Sequence, residues 1–250
     1  MLGIYITAGY PNADATIQAL RILEKAGVDL IELGVPFSDP LADGPVIQKA
    51  AFESLKQGMN LDKIFDLFKS SGVKTKTVLF SYYNPLFAYG FDKVIAKCKE
   101  VGIQGALIPD LPVDEAEELA AQFKAAGLDL VLLAAITSTE ERLKRIYDLS
   151  NPFVYLVSRV GVTGSDSDLS SLRGAEATKQ SSRQLEDVMK KLKSFGNKPI
   201  AIGFGIDSKE KVDATFKQGA DMAIIGTKTV KLSENLKEFE SFISSLKTKV

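Results

Sequence analysis

The feature that most constrains this chain is a unit that recurs four times: a Gly followed by a short, nearly unbroken apolar run. It appears at Gly27-Val28-Asp29-Leu30-Ile31, Gly102-Ile103-Gln104-Gly105-Ala106-Leu107-Ile108, Gly127-Leu128-Asp129-Leu130-Val131-Leu132-Leu133 and Gly219-Ala220-Asp221-Met222-Ala223-Ile224-Ile225. Each Gly follows an amphipathic stretch, where a helix that ends on a left-handed residue needs one. Each apolar run is short and partly β-branched, as befits a parallel strand buried on both faces. A helix-to-strand turn is therefore repeated.

Completing the pattern gives eight strand candidates, roughly 3–8, 29–33, 76–81, 104–109, 129–135, 153–158, 199–203 and 221–225, with helices between them. Asn12 can cap the first helix. Asp114 with Glu117, Ser138 with Glu141 and Asp207 with Glu210 have the spacing of caps for later ones. Cys98 shares a helical face with Phe91, Val94 and Ile95 and reads as a core thiol. Eight βα units in 250 residues predict an α/β fold made of a single (β/α)₈ TIM barrel over residues 1–250. An open doubly wound sheet is the alternative, but it usually has fewer strands. The polar, Ser-rich segment 165–182 reads as a long mobile loop after strand six, either a lid or a surface insertion.

Composition then removes whole classes of chemistry. The chain has no His, so Ser-His-Asp and Cys-His catalysis are impossible, and with one Cys a zinc site lacks ligands. Acid–base work falls to carboxylates, Tyr or Lys. Lys+Arg number 31 against 32 Asp+Glu, and no basic stripe stands out, which argues against nucleic acid as a partner. There is no apolar run long enough to span a membrane and no signal-peptide pattern, and a lone Cys suits a reducing compartment. A cytoplasmic location is expected, or a plastid in a photosynthetic eukaryote.

Active sites of such barrels lie at the C-terminal ends of the strands. Strand two ends Leu30-Ile31-Glu32-Leu33-Gly34, and period-two alternation turns Glu32 into the barrel mouth. A carboxyl group among apolar neighbours has a raised pKa and suits a general acid. The following loop, residues 35–45, carries Asp39 and Asp43, although an Asp-Gly-Pro sequence by itself is usually a turn. Gly203-Phe204-Gly205 after strand seven and Gly226-Thr227 after strand eight can present backbone amides to a dianion, with Thr163-Gly164 closing the third side.

The continuous stretch from Glu32 to Gln48, ELGVPFSDPLADGPVIQ, resembles the signature of the tryptophan synthase alpha subunit family. Tyr82-Tyr83-Asn84-Pro85, Asp110-Leu111-Pro112, Tyr155-Leu156-Val157-Ser158-Arg159, Gly161-Val162-Thr163-Gly164 and Gly203-Phe204-Gly205-Ile206 follow in family order, so the similarity covers nearly the whole chain. The resemblance implies a lyase that cleaves indole-3-glycerol phosphate to indole and glyceraldehyde 3-phosphate, a retro-aldol step that uses no cofactor. It implies Glu32 as general acid/base, Asp43 as the carboxylate on the indole N–H, and Tyr155 beside them. It places Gly164, Gly205, Gly226 and Thr227 (commonly Ser) at the phosphate, and Tyr5, Phe80, Tyr82, Leu107 and Phe204 around the indole ring. It implies a PLP-dependent beta subunit as partner in an α2β2 complex, with Pro36 and Asp39 communicating with it.

Two departures from the family pattern stand out. Strand one begins near Gly3, without the usual preceding helix, so an exposed apolar barrel floor or reduced stability is expected. The loop after Gly164 is about a dozen residues longer than usual. Two further readings use the same residues: a free-standing lyase that releases indole, and a non-catalytic subunit that activates its partner. The retention of both Glu32 and Asp43 argues against the second. Another phosphate-binding barrel would have no activity on indole-3-glycerol phosphate.

Overall fold

The computed structural model describes residues 1–157, 174–203 and 205–246, side chains over 174–182 excepted. Strands β1 (Leu2–Thr7), β2 (Leu30–Gly34), β3 (Thr77–Phe80), β4 (Gly105–Leu107), β5 (Asp129–Val131), β6 (Leu133–Ala135), β7 (Val154–Val157), β8 (Ile200–Ile202) and β9 (Met222–Ile225) pair in parallel. Their order is β5-β4-β3-β2-β1-β9-β8-β7-β6. The two ends of that order are separated in sequence by Leu132 alone, so β5 and β6 form one stave and the sheet curls into an eight-stave barrel. The fifth expected strand is therefore divided. At Leu132 the amide is taken by the buried Ser150 Oγ (3.0 Å), and the pairing partner changes from β4 to β7.

The repeated turn takes the conformation its Gly demands, with φ of 67° at Gly27, 88° at Gly102, 74° at Gly127 and 95° at Gly219. Strand residues alternate between two cores. Leu30, Val78, Leu107, Val131, Phe153 and Tyr155 fill the barrel, while Ile31, Leu33, Leu79, Leu130 and Leu156 pack against the helices. Cys98 is buried in the outer core, and burial holds its thiol well above the usual range. No helix among the described residues is long and apolar enough to cross a membrane.

Three local expectations need correction. The barrel floor is not an exposed apolar surface. Its inward residues Leu30, Phe153 and Met222 are buried, and a polar girdle surrounds the strand starts. Asp29 Oδ2 accepts the Leu2 amide (2.6 Å), Gln104 Oε1 the Thr77 amide (2.6 Å) and Asp221 Oδ2 the Ile200 amide (3.0 Å). Lys76 pairs with Asp129 at 2.8 Å. These side chains satisfy strand-end groups that would otherwise lack partners.

The segment 165–182 is not a loop throughout, since a helix runs over Gly174–Ser194. The Ala, Glu, Lys and Gln of 175–180 have high helix propensity, whereas 165–173 lie outside the described residues. Helix caps also shift. Asn12 accepts from Ala15 N (2.8 Å) as expected, but Thr139 and Ser208, not Ser138 and Asp207, cap their helices, and Asp114 is engaged by Arg142 and Arg145.

Closure of the barrel depends on tight backbone approach at Gly105. A Cβ there would lie 2.1 Å from the Asp129 carbonyl oxygen of the adjacent strand. Gly105→Ala should destabilise the protein by about 1–3 kcal/mol, lowering Tm by on the order of 5 °C for a chain of this size. Thermal unfolding followed by circular dichroism checks this, and an unchanged Tm would contradict the close approach.

Candidate active site

The register of β1 and β2 sets the first side of the site. Tyr5 and Glu32 are directly paired, Glu32 is paired in turn with Val78 on β3, and all three face inward. The Glu32 carboxyl is 1% exposed and its Oε1 has no hydrogen-bond partner among the described residues. A buried charge without a partner is costly, so the group retains its proton instead. Burial pushes its pKa up to about 8.

Asp43 comes from the loop that follows β2. Its amide bonds to Pro40 O (3.0 Å), and Gly44 and Pro45 start the helix Pro45–Lys56 immediately afterwards, Pro occupying the position whose missing N–H costs nothing. Gln48 Nε2 holds the Asp43 carbonyl oxygen at 2.8 Å. Tyr82, just past β3, accepts from the Ala42 amide (2.9 Å) and donates to Asp43 Oδ2 (3.1 Å). Burial raises the Asp43 pKa to about 6, and the Tyr82 hydrogen bond limits the rise. The two carboxyl groups thus differ, one apolar and orphaned, the other hydrogen-bonded. At neutral pH the first can give a proton while the second stays an acceptor.

Both groups lie close enough to the same two phenols to act on them. The phenols of Tyr5 and Tyr155 are held well above the usual range, by burial first and also by the negative charge of both Asp43 and Glu32. Phe80 packs edge-on against Tyr5 with ring centres 5.3 Å apart, and Leu107, in register with Phe80, is fully buried in the barrel interior. The pairing of β8 with β9 and of β9 with β1 sets Gly205 and Gly226 on neighbouring staves. Gly205 is exposed with φ of 69°, and Gly226 precedes the helix Thr227–Leu232. Amides of a first helical turn have no carbonyl of their own helix to bond, so they can receive an anion. Thr163, Gly164 and Phe204 lie outside the described residues.

A family model described as "Tryptophan synthase alpha chain" matches residues 2–250. A protein of that description from Microcystis aeruginosa (strain NIES-843 / IAM M-2473) is 42% identical over 251 residues, covering 97% of this chain and 90% of its own. Tryptophan synthase subunit alpha from Campylobacter jejuni superposes with a TM-score of 0.84 at 32% identity, over 98% of this chain and 94% of that one. A chain of the tryptophan synthase complex from Pyrococcus furiosus gives 0.82 at 31% identity, over 98% and 96%. The chain belongs to the tryptophan synthase alpha chain family.

Sequence reasoning did not foresee three features of this family member's site. Tyr82, expected only as a ring against the indole, turns its hydroxyl to Asp43. Gly34 and Gly203 provide clearance for two phenols: a Cβ at Gly34 would lie 2.2 Å from the Tyr5 hydroxyl, and one at Gly203 would lie 1.7 Å from that of Tyr155. The only hint in the sequence was a Gly at the end of a strand, which more often marks a turn. Of the two positions expected to face a partner, Pro36 is buried and Asp39 is exposed. Asp39 lines a surface depression of about 720 Å³ with Phe37, Leu41 and Phe52, and Leu41 and Phe52 are 85% and 58% exposed.

An acid that binds its proton more tightly when folded makes stability fall as pH rises from its unfolded value to its folded one. For Glu32 that window runs from 4.5 to about 8. Glu32→Gln, always neutral, should match the parent below the window and exceed it above, by on the order of a few kcal/mol at most. Denaturant unfolding across this pH range checks it; parallel stability curves would mean that Glu32 is not buried as a neutral acid.

Proposed function

We propose that Glu32 and Asp43 divide the proton work in the cleavage of indole-3-glycerol phosphate. The chain is a carbon–carbon lyase of its family, and the observation that carries this assignment of roles is the contrast between an orphaned, proton-retaining carboxyl and a hydrogen-bonded carboxylate that act on the same two phenols. Glu32 gives its proton to C3 of the indole ring, and positive charge develops on the ring nitrogen. Asp43 accepts the N–H and stabilises that charge, as a fixed acceptor does best where water is excluded. Glu32, now a carboxylate, takes the proton from the side-chain hydroxyl next to C3. The C–C bond breaks, its electron pair returns to the ring, and the hydroxyl carbon becomes the aldehyde of glyceraldehyde 3-phosphate. The proton taken from the hydroxyl restores Glu32 to its acid form, so no cofactor enters the balance.

Tyr5, Phe80, Tyr82 and Leu107 supply the aromatic and apolar walls for the ring, with Phe204, and Tyr155 lines the chamber beside Glu32. Gly205, Gly226 and Thr227 hold the phosphate, with Thr163 and Gly164. A PLP-dependent beta subunit, in an α2β2 complex, docks on the face that carries Asp39, Leu41 and Phe52, above Pro36. The exposed apolar side chains of that face support this reading, since clustered exposed apolar groups mark interaction sites.

Indole release from indole-3-glycerol phosphate tests the chemistry. Glu32→Gln should keep the fold and lower kcat by at least ~10²-fold; near-parental turnover would remove Glu32 from its role. Phe52→Asp should leave the turnover of the isolated chain unchanged and weaken binding of the beta subunit by about tenfold or more. Calorimetric titration reads this, and unaltered affinity would place the interface elsewhere.

A further inference from the structure

Resting on that reading of the site, we infer that the Tyr82 hydroxyl is a positioning group that latches the Asp43-bearing loop to the end of β3 and keeps Asp43 in its acceptor form. The hydroxyl makes two contacts of opposite sense on one loop. It accepts the Ala42 amide at 2.9 Å and donates to Asp43 Oδ2 at 3.1 Å. With a lone pair directed at the amide, its single proton is aimed at the carboxylate. The ring has little freedom to turn away, being 5% exposed and packed against Phe37 with ring centres 5.4 Å apart. A bare ring at this position would leave the Ala42 amide and Asp43 Oδ2 without this partner.

The latch adds to the difference between the two acids. The described titratable groups that act on Asp43 or on the latch are Tyr5 on β1, Tyr82 after β3, Asp110 after β4 and Tyr155 on β7, and Glu32 on β2 acts on the phenols of Tyr5 and Tyr155. None is a cation. Tyr82 is the one whose hydrogen bond favours the charged carboxylate, and Glu32, which has no such bond, titrates about two units higher, near 8 against 6. A hydrogen bond to a charged group contributes about 1.5–3 kcal/mol, equivalent to about 1–2 pH units. It adds to the difference already present between an ordinary Asp at 3.8 and an ordinary Glu at 4.5.

The test is Tyr82→Phe, with two readouts. In the unliganded protein, carbon-13 carboxyl resonances titrated across pH, with Asp43 assigned by its loss in Asp43→Asn, should show its midpoint moving up from about 6 by about one unit or more. In the pH profile of kcat/KM for indole-3-glycerol phosphate, the acid limb should move up by the same amount while the alkaline limb, set by Glu32, stays. An unmoved Asp43 midpoint, or a loss of activity uniform across pH, would overturn the latch. Should Tyr82→Phe fail to fold, site-specific 3-fluorotyrosine at position 82, a stronger donor, should move the midpoint the opposite way, and no movement would equally overturn it. A parent chain that releases no indole would refute the lyase reading alone, because the resonance titration decides the latch without turnover.

Discussion

Everything in this site depends on taking one carboxyl group out of water without giving it a partner. Glu32 sits at an inward position of a closed parallel barrel, between Tyr5 and Val78, and its Oε1 meets no donor among the described residues. The barrel makes this arrangement stable. Eight staves bury the strand interiors on both faces, so alternation along β2 forces Glu32 inward as surely as it forces Ile31 and Leu33 outward to the helices. The carboxyl group responds by keeping its proton.

A proton donor alone does no retro-aldol chemistry, and the rest of the mouth supplies its complement. Asp43 comes close to the same two phenols as Glu32, from a loop held by its own turn at Pro40, by Gln48 and by Tyr82. Gly34 and Gly203 leave space for the phenols of Tyr5 and Tyr155 to stand between the strands. In the proposed reading, the glycine-bearing ends of neighbouring staves offer amides to the phosphate. On that reading the acid, the acceptor and the anion-binding edge come from different strand ends, which one sheet can hold in fixed relation.

The sequence revealed the elements governed by periodicity and little that depends on side-chain reach. Repeated Gly-to-strand turns gave the barrel, and alternation alone turned Glu32 inward. Asp43 was different, because by composition an Asp before Gly-Pro reads as a turn; only the resemblance singled it out. The Tyr82 hydroxyl escaped notice because its contact bridges 39 residues and requires the loop to fold back over β3. Cap positions slipped by one residue wherever two capable side chains adjoin, as with Ser138 and Thr139, since their competition is settled by backbone geometry. The floor was misjudged for a related reason: Asp29, Gln104 and Asp221 look like solvent-facing polar residues until their strand-end partners are known.

The central claim, that burial keeps Glu32 protonated at neutral pH, is open to direct spectroscopy. Infrared difference spectra between the unliganded parent and Glu32→Gln, recorded across pH, isolate the carbonyl stretch of this one carboxylic acid. The structure predicts a protonated-acid band at neutral pH that fades as the pH rises through about 8. A carboxylate signal already complete at neutral pH would contradict the account.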